Sequence, residues 1–280
     1  MNGSPVTSGW AAARAEKWRV HLSGMEAMLK PVDEPLIRAL QLDGPYRIAD
    51  IGCGGGETAF EILRQAPVGS TVHGFDITPS LIEAARARIP PADRAIAFDV
   101  ADMGTAAAPE APYHRLASRF GIMFFDDPPA AFANLARWLA PGGRFAFAVW
   151  GPQADNPWVT SVRDAAAEAV DIPPTEPDAP GPFRYAKVDT LLHLLGRAGL
   201  DGLDARDWRG TLPIGEGLSP GDAASFALAS FSSFGELLAK AGDAALQAAH
   251  QALTARFARH HQDGAVRMGA CVHIVTGTRP

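Results

Sequence analysis

The period of the hydrophobic positions changes several times along the chain, and those changes divide it. Between residues 10 and 42, Trp10, Arg14, Trp18, Leu22 and Met25 recur at three- and four-residue steps, the spacing of one helical face. Pro31 and Pro35 interrupt this region. A proline lacks the backbone donor that a helix interior needs, so two or three short helices are predicted, forming an N-terminal cap. From residue 43 short apolar runs alternate with amphipathic stretches. Strands are predicted over residues 46–51, 71–76, 95–100, 116–123 and 144–150, with helices over 57–65, 79–89 and 129–139. Such alternation builds βαβ units and a mostly parallel sheet. Right-handed crossovers then place helices on both of its faces.

After Trp150 the rhythm stops. Pro152, Pro157, Pro173, Pro174, Pro177, Pro180 and Pro182 crowd residues 151–184, leaving room for one helix over 159–170. A second helix is predicted over 187–198, with Gly199 placed to end it. A strand follows over 202–212. Residues 220–262 are alanine-rich and helical in pattern, and a last strand closes the chain over 266–277. The expected organisation is one α/β domain over 43–280 with helical insertions at about 151–199 and 213–264, together forming a lid. Residues 1–9 are polar and small without an apolar core. They are expected to be disordered and are not a secretory signal.

The length of 280 residues suits one large α/β domain with insertions. A formal charge of −6 with scattered basic residues argues against nucleic acid as a partner, because phosphate binding needs a basic surface. Two distant cysteines, Cys53 and Cys271, make neither a disulfide framework nor a zinc site, so a cytoplasmic location is expected. No His, Cys and carboxylate spacing predicts a metal, and no apolar stretch approaches the ~20 residues of a membrane span.

The candidate chemistry begins at Asp50-Ile51-Gly52-Cys53-Gly54-Gly55-Gly56, where a strand turns into a helix. Glycines let backbone approach a ligand closely, and the helix that follows presents free amides. Such a turn at the first strand of an open sheet is a nucleotide site by geometry. Glu57 stands where the dinucleotide fingerprint has Gly or Ala, and a carboxylate beside a pyrophosphate is unfavourable. No Gly-Lys-Ser/Thr follows, which excludes a P-loop. An acidic strand end suits a ligand with a cationic end. Asp76 closes the second strand one βα unit later, where a ribose-binding carboxylate sits; a helix cap for the segment from Pro79 is the alternative. The third strand ends in Asp99-Val100-Ala101-Asp102-Met103, with two acids placed to accept from a base.

The order of these motifs resembles the class I S-adenosylmethionine-dependent methyltransferases, in particular those of ubiquinone and menaquinone biosynthesis and their small-molecule relatives. Ser118-Arg119-Phe120-Gly121-Ile122-Met123 resembles the family's fourth strand and its turn. The stretch from Ala131 through Trp138 to Pro141-Gly142-Gly143-Arg144 resembles the helix and turn before strand five. The resemblance covers residues 45–150 and implies a Rossmann-like seven-stranded sheet with an antiparallel last strand. It implies S-adenosylmethionine as cofactor and S-adenosylhomocysteine as product. The cofactor site it implies comprises Asp50, Gly52, Cys53, Gly54, Asp76, Ile77, Ala101, Asp102, Met103 and Ser118, with Trp18 from the cap. It favours Asp102 over Asp99 as the base-binding acid. Where the family usually has an acid before strand four, this chain reads Tyr113-His114-Arg115.

Methyl transfer to a small organic acceptor needs alignment above all, and a base only if the acceptor must lose a proton. His21 in the cap, Arg119 after the fourth strand and Tyr185 in the insertion are the catalytic candidates. His73 and His273 read as structural. Trp150, Asn156, Trp158 and Phe183 are the acceptor-binding candidates, because aromatic side chains near strand ends suit an apolar or aromatic acceptor. The alternative is a protein that binds S-adenosylmethionine for other chemistry or for regulation. A monomer or homodimer is expected.

Overall fold

The computed structural model describes residues 18–91, 95–173, 179–230 and 234–280. Expectations for residues 1–17, Trp10 and Arg14 among them, lie outside these. The strands are β1 (Arg47–Ile51), β2 (Thr71–Asp76), β3 (Ile96–Val100), β4 (Tyr113–Arg119), β5 (Leu139–Trp150), β6 (Asp201–Ile214), β7 (His261–Gln262) and β8 (Ala265–Thr278). They form one sheet in the order β3-β2-β1-β4-β5-β8-β6, with β7 pairing β8 off this path. Strands β1 to β5 pair in parallel, and β8 runs antiparallel to both β5 and β6. This is the expected Rossmann-like sheet with an antiparallel last strand, enlarged by the two-residue β7. The strand order reverses between β1 and β4, and the crevice at the carboxyl ends of those two strands is where open α/β sheets bind ligands.

Helices α1 (Leu22–Leu29) and α2 (Asp33–Ala39) make the cap, joined by a 3₁₀ turn (Lys30–Val32) that absorbs Pro31. Helices α3 (Glu57–Gln65), α4 (Pro79–Ala87) and α5 (Pro128–Trp138) are the sheet's crossovers. The insertions supply α6 (Pro157–Ala167), α7 (Val188–Arg197), α8 (Pro220–Ser230), α9 (Phe234–Ala241) and α10 (Asp243–Ala258). Helix α10 packs on both α8 and α6, so the two insertions meet each other. The cap meets them too: a Cβ on Gly24 would lie 2.8 Å from the Phe226 ring on α8.

Two expectations are corrected. The fourth strand lies three to four residues earlier than its hydrophobic run placed it, because Phe120 adopts a left-handed φ of 64° and Ile122–Phe124 coil into a 3₁₀ turn. The apolar run continued past the strand into buried turn residues, which a period alone cannot separate. The 213–264 insertion is not wholly helical. Strand β6 runs on to Ile214, and β7 pairs β8 across Asp263 and Gly264. Both turn residues have positive φ, 47° and 74°, the backbone that an Asp-Gly hairpin turn requires. Finally, the basic residue at the head of β4 has a task. Buried Arg115 donates to the carbonyls of Leu40 (2.7 Å) and Gln41 (3.1 Å) and lies 3.7 Å over the Tyr46 ring, tying the end of the cap to the sheet.

Candidate active site

The glycine turn is built by its backbone. Gly52, Gly54 and Gly56 have φ of 69°, 55° and 89°, left-handed values that a side chain disfavours. The amides of Gly52 and Cys53 donate to the Phe75 carbonyl at 2.8 and 3.0 Å, which anchors the turn to the end of β2. A Cβ on Gly54 would meet nothing within 4 Å, so the turn leaves open space there. A Cβ on Gly55 would lie 2.6 Å from both Glu26 Oε1 and a Leu22 methyl. The cap helix α1 therefore crosses the turn. Arg88, just past α4, holds it there by donating to Glu26 (3.0 Å), to the Gly55 carbonyl (2.8 Å) and to Glu57. Glu57 is thus engaged with Arg88, away from any phosphate role.

Asp50 at the end of β1 is 1 % exposed, and neither carboxylate oxygen has a hydrogen-bond partner among the described residues. Burial pushes its carboxyl up to about 7; the nearby Arg119 opposes the shift, while Asp33 and Asp76 add to it. Arg119 is itself engaged: Nη1 lies 3.1 Å from Asp33 Oδ2, both side chains are under 10 % exposed, and Asp33 Oδ1 accepts from Thr58 Oγ1 at 2.9 Å. Burial also raises the Asp33 carboxyl, against the pull of Arg119. A buried carboxylate without donors is costly unless a ligand or a proton completes it. The cationic ammonium of an amino acid fits that deficit, as the resemblance implied for this acid.

The nucleoside end has its own observations. Asp76 accepts from the Gly54 amide through Oδ2 (3.0 Å) and from the Thr78 amide through Oδ1 (2.9 Å). A carboxylate offers about four acceptor directions, so hydroxyls of a ribose can still be received. The helix from Pro79 has no side-chain cap bond, so Asp76 shapes the turn before Thr78 and does not cap the helix. Ile77 and Val100, at the carboxyl ends of β2 and β3, leave 43 % and 47 % of their surface exposed beside this acid. Two apolar side chains at that edge suit the faces of a flat base. Asp102 accepts from the Gly104 amide (2.9 Å) and Thr105 Oγ1 (3.0 Å), shaping the loop after Ala101. Met103 is buried below it, its carbonyl held by Asn134 at 2.9 Å. Asp99, the other acid of this strand, pairs with Arg86 and His73 on the sheet instead. Cys53 is buried and its thiol is pushed well up by burial, with Asp50 and Asp76 adding to the effect, so it is an inert wall. Ser118 is buried and donates to the Ile51 carbonyl at 2.7 Å, which stitches β4 to β1 below the turn.

The remaining candidates are placed differently from one another. His21 presents its ring edge-on to Phe226 at 5.8 Å, between cap and α8. Tyr185 is buried against Phe132 of α5. Trp18 is partly buried against the core. His73 lies 2.9 Å from Tyr113 and 2.8 Å from Asp99, a structural bridge. His273 is held by Asp207 (2.7 Å) and the Ala186 carbonyl (3.2 Å), also structural. Asn156, expected at the acceptor, is fully buried with its amide engaged throughout. It donates to the carbonyls of Pro152 (2.9 Å) and Cys271 (3.2 Å) and accepts from the Cys271 amide and the Trp158 ring nitrogen, both at 3.1 Å. It fastens the end of β5 to β8, and that corrects its expected role. Trp150, Trp158 and Phe183 do come together. Trp150 lies 4.8 Å from Trp158 and 6.4 Å from Phe183, and stacks at 4.2 Å on Phe120. Phe120 was not singled out in the sequence as a partner of these aromatics. Its left-handed backbone at the end of β4 turns its ring toward β5, and nothing local in the sequence marks that.

Comparison with known proteins gives a matching domain and several relatives. Residues 48–143 match a family described as a methyltransferase domain. The chain is 34 % identical over 102 residues to the aklanonic acid methyltransferase DauC of Streptomyces sp. (strain C5), covering 36 % of this chain and 46 % of that protein. It is 30 % identical over 112 residues to the demethylmenaquinone methyltransferase of Deinococcus radiodurans, covering 40 % and 46 % respectively. The chain thus spans about half the length of these curated relatives. In fold it is similar to the phosphoethanolamine N-methyltransferase 2 of Haemonchus contortus, solved with phosphomonomethylethanolamine and S-adenosylhomocysteine. That likeness has a TM-score of 0.59 at 13 % identity, covering 99 % of this chain and 61 % of the other. With its glycine turn, its two strand-end acids and this matched domain, the chain is similar to the class I S-adenosylmethionine-dependent methyltransferases.

Proposed function

We propose that the chain transfers the methyl group of S-adenosylmethionine to an oxygen, nitrogen or carbon of a small apolar or aromatic organic acceptor. The observation that carries the cofactor half is the buried carboxylate of Asp50, without a donor among the described residues, under an open glycine turn, with Asp76 one strand away. The bound cofactor supplies an already activated methyl group on a sulfonium. The chain's residues align the partners and exclude water: α1 crosses the turn, and the first insertion packs Trp158 and Phe183 against Trp150 at the end of β5. The stacked Phe120 and Trp150, backed by Trp158 and Phe183, give that side an aromatic wall, which supports a flat apolar acceptor. In the transfer the acceptor's lone pair forms the new bond to carbon, the carbon–sulfur pair returns to sulfur, and an acceptor proton leaves to solvent or a base. Alignment supplies most of the acceleration in such a step.

The reaction is assigned to the cytoplasm on the two free cysteines, and to a monomer or homodimer. Among the described residues no helix is long and apolar enough to cross a membrane. The test is a mass-detected acceptor screen beginning with aklanonic acid and demethylmenaquinone, the acceptors in the names of two relatives. A product heavier by one CH₂ together with S-adenosylhomocysteine is expected. S-Adenosylmethionine binding without any methylated product across a broad panel would favour the non-methyltransferase reading.

A further inference from the structure

Asp33, Asp50 and Arg119 form a buried group whose charges do not balance. Asp33 and Arg119 satisfy one another, and Thr58 adds a donor to Asp33. Asp50 has neither a donor nor a cation of its own among the described residues. The charged or titratable groups around it come from every neighbouring element: Arg119 from β4, Asp33 from α2, Asp76 from β2 and Cys53 from the turn. Among the described residues Arg119 is the one cation beside it, and it is committed to Asp33. A second buried negative charge here would have no counter-charge, and such a group sheds its charge by taking up a proton. Its oxygens are nevertheless placed beside the turn where the cationic end of an amino acid would enter.

We infer that Asp50 holds a proton in the ligand-free protein and surrenders it when the cofactor's ammonium enters, so that binding exchanges a proton for a ligand cation. This rests on the cofactor reading above. The balance is simple: the carboxyl O–H proton passes to buffer, and the ammonium takes its place beside the resulting carboxylate. The exchange ties affinity to pH. With the free carboxyl near 7, binding tightens as pH rises toward that value, by up to about tenfold per unit below it, and levels off above. It also distinguishes ligands. Those that carry the amino-acid end displace the proton, and a neutral nucleoside does not.

The experiment is calorimetric titration of the full chain with S-adenosylhomocysteine in buffers of low and high ionisation enthalpy. The proton count is expected to approach one at about pH 6, to fall to about one half near pH 7 and to vanish near pH 8. The control ligand is 5′-methylthioadenosine, which keeps the nucleoside and lacks the ammonium; it should bind with no proton release. Asp50→Asn should bind S-adenosylhomocysteine with heats independent of buffer. Tight binding without proton release at about pH 6 would overturn the inference and leave the cofactor reading standing. Equal release with both ligands, or full release in Asp50→Asn, would also overturn it. Failure of S-adenosylhomocysteine to bind at all would instead sink the cofactor reading.

Discussion

Gly52 and Gly121 meet back to back where β1 and β4 end. A Cβ on Gly52 would lie 2.8 Å from the Gly121 Cα, and a Cβ on Gly121 would lie 2.9 Å from the Gly52 Cα and 2.6 Å from the Ile51 carbonyl oxygen. Backbone cannot yield as a side chain can. Gly52→Ala adds this clash to a left-handed φ and is expected to cost ~2–4 kcal/mol, read from the urea midpoint. Gly54→Ala has open space around it, so it should cost only ~1–2 kcal/mol of stability. Its added methyl should weaken cofactor binding instead, and a Gly54→Ala protein with unchanged affinity would remove that position from the site.

Asp76 shapes the turn through Gly54, and the proposed cofactor reading adds ribose hydroxyls for it to accept. Asp76→Ala is expected to weaken S-adenosylhomocysteine binding by ~1–3 kcal/mol through loss of charge-assisted bonds. Calorimetry reads the affinity directly, and an unchanged dissociation constant would refute the ribose assignment.

Asp50 destabilises the ligand-free fold when it ionises. Its folded carboxyl lies near 7 against an unfolded value near 3.8, so between these the native state holds a proton that the unfolded chain has lost. Stability from this group therefore falls as pH rises through that window and stays low above it. Asp50→Asn should raise the unfolding free energy of the ligand-free protein at about pH 8 by ~1–4 kcal/mol, and much less at about pH 4. Thermal melts across pH test this; an equal effect at both ends would contradict it.

The Arg119–Asp33 pair joins β4 to the cap helix α2. Arg119→Met leaves the Asp33 carboxylate buried and unpaired, at a cost of ~3–5 kcal/mol. The further change Asp33→Asn should recover much of that loss by removing the orphaned charge. A double variant no more stable than the single one would show that the ion pair is not what is lost.

Asn156 holds the carbonyls of Pro152 and Cys271, the Cys271 amide and the Trp158 indole. Asn156→Ala is expected to lower stability by ~1–3 kcal/mol, with the acceptor KM unchanged once an acceptor is in hand. A KM effect without loss of stability would return Asn156 to the acceptor site.

What local chemistry determines was legible in the chain itself. The glycines at 52, 54 and 56 stand where backbone must turn left-handed, the strand periods mark β1 to β3, and Asp50 and Asp76 sit at strand ends because the βα rhythm places them there. The strand-order reversal that makes their edge a binding crevice came from the fold, because periodicity does not say which strands pair. Other relationships join residues far apart, and no periodicity carries them. Arg119 finds Asp33 across 86 residues and Asn156 finds Cys271 across 115, while Phe120 reaches Trp150 through an unusual backbone angle. Burial decided the rest. The sequence alone determined which acids end the strands. Only tertiary structure decided that Arg119 is committed to Asp33 and that Asp50 is left without a partner among the described residues, because a carboxyl's charge depends on what surrounds it once water has been excluded.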